Sequence, residues 1–238
     1  MKDVAIVVIN HKDWLNPLEN MSLNRCLDVF KDRDIFFVYP NNMSLLCYET
    51  AWQNHNKTVN FLPVDNKWFQ SNSTYCKLLI QKDFYTYFSE YKYILIYQLD
   101  CYVFKDNLNY FMDMGYNYYG AAWNYSNLYK VVGNGGLSLR NVAAFIENIE
   151  ERKDLDFINR DDCEFIEDFA FCNSFYPIKN ICPFEVAEEF SFETTAWWRV
   201  PENMEKEDFP MGLHGFSKDE FIDVMGRMIK RWDMLNEK

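Results

Sequence analysis

The sequence predicts an α/β fold, one domain with a mixed, mainly parallel central sheet flanked by helices. Three observations lead there. Short β-branched and aromatic runs recur at 4–10, 34–40, 58–63 and 93–99. These runs are apolar along most of their length, as strands buried on both faces of a parallel sheet are. Helix-like stretches lie between them, and alternation of the two element types is the mark of α/β architecture.

"VAIVVIN" (4–10) is the first strand. Asn16, Pro17 and Glu19 then form a helix start, predicting a helix near 17–31. "DIFFVYP" (34–40) and "TVNFLP" (58–63) are the second and third strands. Residues 73–89 read as one helix, with Tyr75, Leu78, Leu79, Phe84, Tyr87 and Phe88 on its apolar side. "YILIYQL" (93–99) is the fourth strand. Short strands follow at "YNYYGAA" and "GGLSLR", then a helix near 142–152. Asp161 with Glu164, and Ser217 with Glu220, have the spacing of capping boxes for two later helices. In the last of these, Phe221, Met225, Met228, Trp232 and Leu235 make one apolar stripe. The domain is expected over 1–216, with 217–238 as a C-terminal amphipathic helix packed on it.

The totals exclude several classes. The formal charge of −12 argues against a nucleic-acid partner, which needs a basic surface. Seven scattered cysteines without a CxxC pair suggest neither a disulfide framework nor a structural zinc site. The first apolar run is short and lacks a small-residue cleavage site, and no run approaches the ~20 residues of a membrane span. A reduced, cytoplasmic setting is expected. Aromatic residues make up 18%, mostly as core, leaving a few to stack on a sugar or a base.

Asp100 closes the fourth strand, at the edge where open parallel sheets bind ligands. A carboxylate among apolar neighbours needs a partner or a cation. Turn capping or a lysine partner is one reading. Mg²⁺ or Mn²⁺ coordination, with a phosphate ligand, is the other. Five of the eight glycines fall in "VGNGG" (Gly133, Gly135, Gly136) and "GLHG" (Gly212, Gly215), where backbone turns sharply or meets a ligand. His214, inside the second motif, is a candidate metal ligand or phosphate contact. Glu167 and Asp168 lie in an apolar frame. Helical geometry turns at most one of them inward, where burial would raise its pKa towards that of a general base.

"YKYILIYQLDCYVFKDNLNYF", "YNYYGAAWN", "VGNGGLSLR", "EDFAFC" and "GLHGF", in this order, resemble a bacterial glycosyltransferase-like family. That family is catalogued as a domain of unknown function and associated with surface-polysaccharide loci. The resemblance spans about residues 4–216 and extends more broadly to GT-A enzymes, whose single domain is a nucleotide-sugar-binding α/β sandwich. It implies that Asp100 and His214 bind Mn²⁺ or Mg²⁺ on the donor diphosphate. Gln98 stands where the metal motif has its first aspartate, so one acidic ligand is missing. The resemblance further places Asn10, His11, Lys77, Gln98, Asn134, Gly135 and Gly136 at the donor, and Trp123 and Asn124 at the acceptor. Asp168, with Glu167 beside it, corresponds to the base of inverting members. The implied activity is transfer from a nucleotide sugar to a glycan or lipid-linked acceptor.

Two other classes fit the sequence less well. A sugar nucleotidyltransferase would carry a glycine-rich phosphate loop after the first strand, where this chain reads "NHKDWLNPLEN". A non-catalytic carbohydrate-binding module would explain the aromatics but not Asp100, "GNGG" and His214 together. The basic flanks of the last helix (Lys218, Arg227, Lys230, Arg231) suit either packing on the domain or peripheral contact with the inner membrane.

Overall fold

The computed structural model describes residues 1–126 and 129–237, and the side chains of all of these except 124–126 and 129–130. Its first half follows the expected alternation: β1 (Lys2–Ile9), α1 (Pro17–Val29), β2 (Asp34–Pro40), α2 (Leu46–Asn54) and β3 (Val59–Val64). Then come α3 (Asn72–Leu78), α4 (Lys82–Tyr87) and β4 (Tyr91–Tyr97). The α1 start forms as the residue types dictate. The Asn16 side chain accepts from the amides of Leu18 and Glu19, and Glu19 accepts from the Asn16 amide.

Among the described residues a six-stranded sheet forms in which β1 pairs in parallel with β2 and β4, and β2 with β3. Beyond β4 lie β9 (Leu137–Asn141) and β6 (Tyr118–Tyr119), giving the order β3-β2-β1-β4-β9-β6. Only β9 runs against its neighbours. From Val4 to Ile9 every side chain of β1 is buried, because this strand has neighbours on both sides and cover on both faces. At the edge, β3 carries Pro63, where a missing N–H leaves no bond unmade.

The sheet order creates the binding edge. The chain steps outward from β1 to β2 and β3, then returns to place β4 on the other side of β1. Loops leaving β1 and β4 therefore part at their carboxyl ends and open a crevice. Directly after β4 the chain turns through Leu99 and Asp100 into β5 (Cys101–Val103), which joins a small sheet with β10 (Ser191–Phe192) and β11 (Gly212–His214). Pairing of β5 with β11 sets His214 opposite Cys101. Asp100 thus stands at the corner between two sheets.

The remaining elements are α5 (Leu108–Met114), the hairpin β7 (Ala122–Ser126) and β8 (Tyr129–Val132), and α6 (Val142–Glu151). After them come α7 (Leu155–Ile158), α8 (Glu167–Asn173), α9 (Phe184–Phe190) and α10 (Ile222–Asn236). Phe221, Val224, Met225, Met228, Ile229 and Trp232 bury the α10 stripe in a second core shared with Tyr102, Phe104, Phe209 and Leu213. No helix among the described residues is long and apolar enough to cross a membrane.

Three local expectations differ from the structure. The 73–89 helix is two helices, because the chain opens at Leu79–Gln81, and this rotates Tyr87 to 49% exposure. Neither late capping box caps a helix. Ile166 and Phe221 precede α8 and α10 without a side-chain cap, the chain between Glu164 or Glu220 and each helix start being turn or loop.

Candidate functional site

At the corner after β4, the Asp100 carbonyl accepts from the Phe216 amide, which ties the turn to the segment after β11. Asp100 Oδ1 and His214 Nε2 then face each other at 3.5 Å. Both atoms are buried, and neither has a hydrogen-bond partner. Burial disfavours a charged His214, but the Asp100 carboxylate and a hydrogen bond with Glu193 outweigh it and raise its pKa. A carboxylate oxygen and an imidazole nitrogen, converging and neither of them hydrogen-bonded, fit a divalent cation. The Cys101 sulfur lies in the same cluster. Burial and the neighbouring Asp100 push its thiol well above the ordinary range, and its Sγ contacts the Gly136 carbonyl at 3.2 Å. Asp100 and His214 are therefore the better ligand pair.

Behind His214 lies Glu193, 6% exposed. Its Oε1 meets His214 Nδ1 and the Lys218 ammonium, each at 3.1 Å. Its Oε2 accepts from Trp123 Nε1 at 2.6 Å and from Asn134 Nδ2 at 3.1 Å. Burial by itself would raise its pKa. Hydrogen bonding and charge from His214, then Lys218, instead hold it down at about 2.

The glycine loop runs between this cluster and a second one. Gly136 closes against His214 and Gln98, while a Cβ on Gly135 would lie 2.4 Å from Glu167 Oε1 and 2.9 Å from Arg140 Nη2. Arg140, fully buried, donates to Glu167 at 2.8 Å, and also to Tyr85, Ser138 and the Gly135 carbonyl. Asp168 accepts from the Gly135 and Phe169 amides. Burial, then the Glu167 charge beside it, raise its pKa to about 7. Both carboxylates thus approach the loop, where the helical argument allowed one. They occupy the first turn of α8, and the loop lies across that end of the helix.

A cleft of ≈ 550 Å³ opens at the carboxyl ends of β1 and β4, lined by Asn10, His11, Phe69, Tyr75, Gln98 and Asp100 among others. The Asn10 side-chain Oδ1 accepts from the His11 and Lys12 amides, leaving Nδ2 buried without a partner. His11 stacks on Phe69 with ring centres 5.9 Å apart. Burial, helped by the Lys12 charge, lowers its pKa and so favours the neutral ring. Gln98 donates to Tyr75.

Asn134 caps the Gly136 amide as well as holding Glu193. The Trp123 ring would meet a Cβ on Gly133 at 3.1 Å, so it forms a wall beside the loop. Lys77 does not line the cleft. It is buried, and its ammonium donates to the Arg160 carbonyl. The Asn124 side chain lies outside the described residues.

Sequence reasoning did not find Glu193, Arg140 or the contact of Lys218 with the site. A signal existed for the first: Glu193 is the single charge in the apolar stretch "FSFETTAWW", as Asp100 is in its own.

The chain is similar to the crystal structure of the glycosyltransferase GlyE from Streptococcus pneumoniae TIGR4, at a TM-score of 0.58 and 14% identity. That match covers 100% of this chain and 63% of GlyE. The apo form of GlyE gives a TM-score of 0.57 at the same identity and coverage. The apo structure of the bifunctional glycosyltransferase WbbM gives 0.51 at 12% identity, covering 98% of this chain and 51% of WbbM. The chain therefore spans less than two thirds of the length of either protein, and the likeness establishes a glycosyltransferase-like fold. No curated protein sequence matches the chain. A family model does match over residues 58–214, a span that holds Asp100, the glycine loop, Asp168 and Glu193 and ends on His214, so the chain belongs to the family described as Protein of unknown function (DUF5672).

Proposed function

We propose that this chain is a nucleotide-sugar-dependent glycosyltransferase of GT-A type, acting with Mn²⁺ or Mg²⁺. The observation that carries the reading is the buried pair Asp100 Oδ1 and His214 Nε2, neither of them hydrogen-bonded, beside the switch-point cleft that Asp100 lines. Asp100 and His214 would hold the cation, whose chemistry there is to offset negative charge on the donor diphosphate.

The chain's own groups supply the rest. The buried Asn10 Nδ2 seeks an acceptor oxygen on the base or ribose, and the neutral His11 stacked on Phe69 offers a flat apolar wall to the base. Lys218, 42% exposed, adds positive charge beside the same corner. The amide of Gly135 already points at Asp168, so the loop fixes this carboxylate at its own edge. Asp168 takes the proton of an acceptor hydroxyl while that oxygen attacks the anomeric carbon, and the nucleotide diphosphate leaves from the opposite face. One base and direct attack invert the anomeric configuration. Trp123 supplies a flat surface for an acceptor sugar. The acceptor in this reading is a glycan or a lipid-linked sugar of surface-polysaccharide synthesis.

The test is isothermal titration of UDP, GDP and CMP with Mn²⁺ or with EDTA, into the wild type and Asp100→Ala. One nucleotide is expected to bind, with both the cation and Asp100 required. Binding of none of the three would remove the donor-site reading.

A further inference from the structure

The cation pair has only one ligand on each of two elements, so its geometry depends on what holds His214. Glu193 is an acceptor on both oxygens, so Nδ1 of His214 carries the proton that bonds to it and Nε2 is turned towards Asp100. A carboxylate offers about four lone-pair sites. All four on Glu193 are taken, two donors on each oxygen: His214 and Lys218, Trp123 and Asn134.

We infer that Glu193 is the positioning residue of the site, a four-way junction that selects the His214 tautomer presenting Nε2 and locks it in register with the glycine loop and the Trp123 wall. The inference rests on the reading of Asp100 and His214 as cation ligands. The glycine loop has no slack of its own to replace this support, since Gly136 is already in contact with the His214 ring. Replacing one carboxylate oxygen by an amide nitrogen sets a donor against two donors, so an isosteric glutamine breaks the junction without changing its size.

The experiment is titration of Mn²⁺ alone into the wild type, Glu193→Gln and Trp123→Phe, with ring-¹⁵N resonances of His214 recorded before metal is added. At a pH high enough for the ring to be neutral, its proton is expected on Nδ1 in the wild type and shared between the two nitrogens in Glu193→Gln. Mn²⁺ affinity should fall about 10- to 100-fold in Glu193→Gln, the range for outer partners of a metal ligand. Trp123→Phe, which deletes one donor to Glu193, should weaken it in the same direction. Wild type that binds Mn²⁺, with Glu193→Gln binding equally well through an unchanged tautomer, would overturn the inference and leave the cation site standing. Absence of Mn²⁺ binding in the wild type would overturn both. Should Glu193→Gln fail to fold, Trp123→Phe decides: unchanged affinity in that variant sinks the inference.

Discussion

A Cβ on Gly136 would stand 2.1 Å from Nε2 of His214 and 2.8 Å from Oε1 of Gln98. The last glycine of "GNGG" is thus defined by the residues across from it: the backbone lies so close to the proposed cation ligand that no side chain fits between them. Gly136→Ala must displace the His214 ring. A misplacement of about 1 Å at a reacting centre costs on the order of 100-fold in rate. Transfer activity should fall by that order while far-UV circular dichroism stays unchanged; a fully active variant would mean that the ring is not at the site.

Cation binding has a thermal signature. At 100 times its dissociation constant, a ligand that binds only the folded state adds about 2.7 kcal/mol. For a chain of this length that corresponds to a Tm rise of about 5–10 °C. Mn²⁺ should produce it in the wild type and not in Asp100→Ala or His214→Ala, as measured by scanning calorimetry.

Asp168 sets an expected pH dependence. Its folded pKa is raised from 3.8 to about 7, by burial and the adjacent Glu167. As a base it works only when deprotonated, so kcat should climb with pH and level off above about 7. The same shift acts on stability in the opposite sense. Between about pH 4 and 7 the folded state binds more protons at this residue than the unfolded chain, so its contribution to stability declines as pH rises through that window. Asp168→Asn should abolish the rate and flatten this part of the stability profile. A rate profile still rising through pH 7 in that variant would assign the proton transfer elsewhere.

Glu167 is separable from its neighbour by its partner. Its carboxylate pairs with the fully buried Arg140 guanidinium at 2.8 Å. Removing one member of such a pair leaves an uncompensated buried charge and costs about 3–5 kcal/mol. Glu167→Gln is expected to lower the urea midpoint accordingly. If stability held and only the rate fell, Glu167 would move from a structural partner to a member of the reacting set.

The α10 stripe is buried in the second core, not turned outward. Liposome flotation of the full chain should therefore show no binding, with or without anionic lipid. Co-flotation would require the helix to leave its core and would revive the membrane reading of its basic flanks.

The sheet was legible because its signal is local. β1, β2 and β4 are stretches in which nearly every side chain is apolar, a pattern only a strand covered on both faces tolerates. The Asn16–Glu19 cap was legible for the same reason, since its donors and acceptors lie three residues apart. The break in the 73–89 helix is not legible, because the apolar spacing continues across Leu79–Gln81, where the helical backbone does not. Asp100, His214 and Gly136 stood out as oddities: a charge, a histidine and a glycine in apolar company.

By itself, then, the sequence determined the main strands, the position of Asp100 at their carboxyl edge and the motifs that come near it. Only the tertiary structure decided which side chains meet. Glu193 draws its donors from positions 70, 59, 21 and 25 residues away. No periodicity encodes such a contact, because it depends on how two sheets and a glycine loop converge. Folding decided also that Lys77 is spent on a carbonyl and Glu167 on Arg140. The physical reason is the same in each case. A buried charge takes whichever partner the fold brings within reach, and that partner is set by three-dimensional packing, not by neighbours along the chain.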